Sequence, residues 1–166
     1  MTDSLPRFIS VEGSSYSDQS YPVIAAWSLE NNDIKDAIIT PEESWEDEDA
    51  RLADLDLEEY QLSQMGHPAW EVLREMNNDL QGETVYCMNA AITERWLDRL
   101  CSEFNEELSF EIASAYELFP DRLPEEFDDQ LRECSDLLLM SQDKCDELVR
   151  LLQESWLRLN QLESDY

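Results

Sequence analysis

The stretch that most constrains this chain is Arg7-Phe8-Ile9-Ser10-Val11-Glu12-Gly13-Ser14-Ser15. Phe8, Ile9 and Val11 are the aromatic and β-branched residues that suit a buried strand, and Gly13 with two serines supplies the stop. This is the first, central strand of a sheet, and the remaining segments must pair with it and cover it. Its end projects the carboxylate of Glu12 beside a flexible turn, where α/β folds place ligand chemistry. Glu12 is therefore the first candidate site residue.

Tyr21-Pro22-Val23-Ile24-Ala25-Ala26-Trp27-Ser28-Leu29 reads as a second strand, and Asn31-Asn32-Asp33 is a turn signal before a third, Ile34 to Thr40. Three strands in that order make an antiparallel meander. Leu52 to Met65 reads as a short helical connection of mixed periodicity closed by Gly66. His67-Pro68 then opens a clear helix with Ala69, Val72, Leu73, Met76 and Leu80 on one face and Gly82 after its end. His67 is expected just before that helix, as a neighbour of its cap. Thr84 to Met88 is a buried strand, followed by a helix with Ile92, Trp96, Leu97, Leu100 and Phe104 inward, and then by a strand at Phe110 to Ala115. A parallel pairing through a right-handed crossover is expected for that unit. The tail predicts two helices, around Glu125 to Met140 and Gln142 to Leu162. The second carries Cys145, Leu148, Val149, Leu152, Trp156 and Leu159 at helical spacing and should pack on the sheet or on a second copy of the chain.

A length of 166 residues is one domain's worth. The boundaries expected are a core over 1–120 and a C-terminal helical extension over 121–166 that packs on it. Five Trp, six Tyr and five Phe exclude a disordered acidic chain, because that much aromatic surface can offset the entropy of ordering. Cys87, Cys101, Cys134 and Cys145 are far apart, without a Cys-x-x-Cys pair, and read as reduced core thiols. Thr2, Asp3 and Ser4 stand where a signal peptide would be basic and then apolar, so a cytoplasmic location without membrane contact is expected.

Charge narrows the function further. Forty acidic against 11 basic residues give a net charge of −29, a field that disfavours direct binding to DNA or RNA and favours basic protein surfaces. The densest run is Glu42, Glu43, Glu46, Asp47, Glu48 and Asp49, continued by Asp54, Asp56, Glu58 and Glu59, with Trp45 available to anchor the loop. Arg95 with Arg99, and Arg150 with Arg158, are spaced for intrahelical pairing with acids, and no basic stripe emerges.

In this order of elements the chain resembles the 3′-to-5′ exonucleases of the Asp-Glu-Asp-Asp superfamily, from Phe8 to about Phe119. The pieces that carry the resemblance are Phe8-Ile9-Ser10-Val11-Glu12-Gly13, Tyr21-Pro22-Val23 to Trp27, Ile38-Ile39-Thr40-Pro41 with Ser44-Trp45, and Val85-Tyr86-Cys87-Met88 leading to Arg95-Trp96-Leu97. The resemblance implies an α/β, ribonuclease-H-like fold: three antiparallel strands, a β-α-β unit, helices on the sheet and a helical C-terminal tail. It also implies four carboxylates holding two divalent metals, with a His or Tyr on a late helix orienting water. This sequence departs from that pattern. The first strand carries Ser10 where Asp is expected and keeps only Glu12. The next Asp position is Met88, a thioether that a hard cation does not choose. The late helix offers Asp143, Asp146 and Glu147 without an imidazole. Asp143 and Glu147 are spaced one helical turn apart on a solvated face, although Glu12 with either could hold one metal weakly.

The function expected is therefore that of a degenerate exonuclease-fold protein, a pseudoenzyme kept as an acidic protein-binding module. It would need no cofactor, and its acidic surface would imitate nucleic acid in the basic groove of a partner such as a nucleic-acid-binding enzyme. The alternative is a weak 3′-5′ exonuclease on single-stranded RNA or DNA, using Mg²⁺ or Mn²⁺ at a rearranged acidic site. A homodimer through the tail helix is a further expectation.

Overall fold

In the computed structural model, which describes residues 5–55 and 64–164, the first strand does lie inside a sheet. Strand β1 (Arg7–Gly13) pairs antiparallel with β2 (Pro22–Ser28), which pairs antiparallel with β3 (Ile34–Thr40). On its other side β1 runs parallel to β5 (Thr84–Cys87), and β5 parallel to β6 (Glu111–Ser114). A two-residue strand, β4 (His67–Pro68), adds to the outer edge of β3, giving a mixed six-stranded sheet in the order β4-β3-β2-β1-β5-β6.

That last pairing was not expected, although His67-Pro68 does open a helix with His67 beside its cap. Ile39 faces His67 and Thr40 faces Pro68 in parallel register, and the helix begins one residue later. Pro68 has no N–H to give a ladder, so it suits an edge position.

Among the described residues, four helices cover the sheet. Helix α1 (Ala69–Leu80) buries Ala69, Val72, Leu73, Met76 and Leu80, the face its periodicity predicts. Helix α2 (Ala90–Glu103) buries Thr93, Trp96, Leu97, Leu100 and Cys101, with Ile92 and Phe104 only partly covered. These two helices share a core with Ile9, Val11, Trp27 and Val85. Helices α3 (Pro124–Leu138) and α4 (Cys145–Ser164) pack on the opposite face, where Phe127, Leu131, Val149, Leu152 and Leu159 join Phe8 and Ala26. The apolar side of the tail helix is thus covered by the sheet, and Trp156 packs there too. All four cysteines are free and buried. Among the described residues, no helix is long and apolar enough to cross a membrane.

Side chains alternate across a strand, so the two cores fix where β1 aims each residue. Ile9 and Val11 face α1 and α2, whereas Phe8 faces α3 and α4. Ser10 and Glu12 share the parity of Phe8 and are therefore directed to the side of α4. The strand register breaks between Glu12 and Gly13, and Gly13 lies so close to Trp96 that a Cβ would fall 2.2 Å from the indole. Only glycine fits there.

Candidate functional site

The adjacent carboxyl ends of β1 and β5 form the floor of the candidate site. Arg7 is level with Val85 and Phe8 with Tyr86, and carrying that register on by two residues brings Ser10 level with Met88. Both line a cavity of about 50 Å³ with Glu12, Tyr16, Asn89, Trp96 and Leu148. The residue through which α4 faces this cavity is Leu148 rather than one of the acids around it. Ser10 is buried near the Cys145 thiol, whose pKa burial pushes up to about 12 against the opposing effect of the Ser10 hydroxyl.

Beside this cavity an open cleft of about 650 Å³ is lined by residues including Glu12, Tyr16, Asp49, Arg51 and Asp143. Asp143 precedes α4 and faces Glu12 across the cleft, so it is not the helical partner of Glu147 that its spacing suggests. Glu147 is half-buried, with Oε2 4.0 Å from Lys144 Nζ. Burial, and then the charge of Asp143, hold the Glu12 carboxyl above the usual range. Among the described residues no hydrogen bond or ion pair reaches the Glu12 carboxylate. Its charge, ahead of partial burial and of Asp143, also raises the Tyr16 phenol. The Tyr16 ring is 72% exposed and its centroid is 6.0 Å from that of Trp96.

The wall of the cleft is the serine-rich turn after β1, held from two sides. Asp47 Oδ2 accepts hydrogen bonds from Ser14 Oγ and Ser15 Oγ, both at 2.7 Å, and Oδ1 accepts one from Ser17 Oγ at 3.0 Å. Burial alone would raise the Asp47 carboxyl, but these hydroxyls and the Asp49 N–H outweigh it and bring it below its ordinary value. From α2, Arg95 donates to the Tyr16 and Ser17 carbonyls at 3.0 Å and lies 3.4 Å from Asp18. The expectation that Arg95 pairs within its own helix is therefore corrected: a guanidinium reaches further than one helical turn, and here its forked donors meet two main-chain carbonyls of the turn after β1.

The acidic run divides in the same way. Glu43, Glu46, Glu48 and Asp49 are exposed and Glu42 is half-buried, while Asp47 turns inward to the serines. Trp45 anchors the loop, buried and stacked on Tyr21 at 5.7 Å. Asp54 lies in the 3-10 turn Leu52–Leu55, and Asp56, Glu58 and Glu59 fall outside the described residues. Several cations are taken up internally. Lys35 meets Asp79 at 3.1 Å and Glu75 at 3.7 Å, Arg122 meets Glu126 at 3.7 Å, and Arg132 pairs with Asp129.

These residues do not fit a two-metal centre. Ser10, Met88 and Leu148 face the floor where the exonuclease resemblance requires carboxylates, leaving, among the described residues, Glu12 there and Asp49 and Asp143 along the open cleft. A thioether and an isobutyl group give a hard cation nothing to replace its water, and the Ser10 hydroxyl brings no charge to balance it. The sequence matches no protein-family model, and no curated protein matches it either.

Proposed function

We propose that this chain is a ribonuclease-H-like module of exonuclease descent that has lost its metal chemistry and binds a basic protein. The fold assignment is supported by the order β3-β2-β1-β5-β6, with an antiparallel meander followed by parallel strands and helices on both faces. The observation that carries the loss of chemistry is the cavity floor, where Glu12 is the one carboxylate among Ser10, Met88 and Leu148. The net charge of −29 supports the choice of partner, because such a field repels phosphate and steers cationic surfaces inward. In its sharper form the exposed acids Glu43, Glu46, Glu48 and Asp49 imitate nucleic acid and gain affinity by releasing counterions from a basic groove.

The test has two arms. Purified protein with Mg²⁺ or Mn²⁺ is expected to leave single-stranded RNA and DNA intact, and calorimetric titration is expected to give only diffuse, salt-screened metal association. Robust metal-dependent degradation that disappears in Glu12→Ala overturns the proposal in favour of the weak exonuclease. In the second arm, capture at low salt should return basic nucleic-acid-binding proteins that elute as salt rises. Failure to retain any basic protein counts against the binding role.

A further inference from the structure

Three consecutive leucines stand exposed where α3 ends: Leu137 at 59%, Leu138 at 38% and Leu139 at 90%. The helix closes with the Met140 N–H donating to the Ser135 carbonyl at 3.1 Å, and Leu139 takes the left-handed conformation, φ 55°. Glycine is the usual residue there, because a Cβ is disfavoured at positive φ. Leu139 is thus a large apolar side chain that adds little to its own core and sits in a backbone state it does not favour. Large apolar side chains left exposed together at a helix end are candidates for an interaction surface.

Four residues further on, Asp143 lines the cleft with Glu12 and Tyr16. Four residues span at most about 14 Å, well within a standard protein interface of about 800 Å² per partner. We propose that the α3–α4 turn and this cleft together form the contact surface for the basic partner. The leucines supply the apolar centre, and the cleft receives an arginine or lysine side chain between Glu12, Asp143 and the exposed face of Tyr16. This rests on the binding role proposed above and moves its centre away from the acidic loop. A cation suits the cleft because no donor among the described residues reaches the Glu12 carboxylate, and an aromatic face attracts cations. Arg51, the one cation among the described lining residues, is outnumbered by Glu12, Asp49 and Asp143. A second copy of the chain is the poorer occupant, since each carries −29 and a two-fold contact here would set Asp136 and Asp143 against their own copies.

The probe is a synthetic amphipathic peptide of leucines and arginines, titrated into the isotope-labelled full chain at low and high salt and followed by NMR. Three variants accompany it: Leu139→Gly, the pair Glu12→Gln and Tyr16→Ala, and the loop set Glu43→Gln, Glu46→Gln and Glu48→Gln. Resonances of residues 137–143, Glu12 and Tyr16 should move. Leu139→Gly should weaken binding about thirtyfold, the smallest loss that defines an interface hot spot, while melting at or above the parent temperature. The cleft pair should weaken it similarly, and the loop set, which lowers only the long-range attraction, should weaken it less than either. Parent-like binding by Leu139→Gly or by the cleft pair overturns the proposal. If the loop set alone loses affinity, the binding module stands and this surface falls. If the peptide binds nowhere even at low salt, both fall.

Discussion

Replacing Gly13 by alanine tests the wall on which the candidate site is built. The added Cβ would lie 2.2 Å from Trp96 Cε2, 2.3 Å from Nε1 and 2.6 Å from Cζ2. Ordinary carbon contacts are about 3.5 Å, so the indole must withdraw by about 1.3 Å. Trp96 is 2% exposed and has little room to do so. A shift of that size can also break the 2.8 Å hydrogen bond from its Nε1 to Ser20 Oγ. Overpacking costs about 1–3 kcal/mol, a stranded buried donor about 1–3 more, and the stiffer unfolded chain returns about 0.4–1. The net loss is then about 1–6 kcal/mol. At about 2–4 °C per kcal/mol for a chain of this size, melting should fall by roughly 2–24 °C. Urea unfolding followed by circular dichroism measures the loss, and the Trp96 indole N–H resonance reports the displaced ring. In a Trp96→Leu background the same alanine should cost much less, because its obstacle is gone. A Gly13→Ala protein within about 0.5 kcal/mol of the parent, or an equal loss in both backgrounds, refutes the close contact.

Asp47→Ala removes the acceptor of three serine hydroxyls and should cost about 1–3 kcal/mol after allowance for the loop's exposure, measured by thermal unfolding near neutral pH. Because the Asp47 carboxyl is lowered in the fold, its contribution is present above the ordinary carboxylate value and lost as pH falls through the folded one, so parent and variant should converge in acid. Glu12 has the opposite sign. Its carboxyl is raised, so the stability linked to it is full below the ordinary value and lost as pH rises through the folded one. Glu12→Gln should therefore melt higher than the parent at pH 7 and like it in acid; a variant that melts lower at pH 7 contradicts the unpartnered carboxylate.

Where the sequence was legible, a repeating apolar pattern coincided with a repeating structure. Ala69, Val72, Leu73, Met76 and Leu80 recur at helical spacing and form the buried face of α1. The meander and the parallel β5–β6 pair are found as expected, since β-branched and aromatic runs between turn residues carry their own signal. What was hidden depended on distance in space rather than spacing in sequence. Strand β4 has two residues, too few for any period. Arg95 sits on its helix as if to pair with a neighbouring acid, yet it reaches the turn after β1, 78 and 79 residues earlier. Asp47 reads as one more charge in an acidic run, and only the fold puts serines beneath it. At the candidate site, Glu12 was picked out by its place at the end of β1, and Ser10 and Met88 through the exonuclease resemblance. Leu148 was not, because an apolar residue on a helix gives no sign that it faces a cavity rather than the core.

The turn that walls the cleft is tied at both margins, by Asp47 on one side and Arg95 on the other. A ligand entering there meets a surface whose main chain is already ordered, so binding immobilises few new groups and little affinity is lost to ordering. Preorganisation of this kind shows in the lifetime of a complex more than in its rate of formation, which long-range charge governs. Loosening Arg95 should therefore shorten the residence of whatever occupies the cleft and leave the speed of its arrival unchanged.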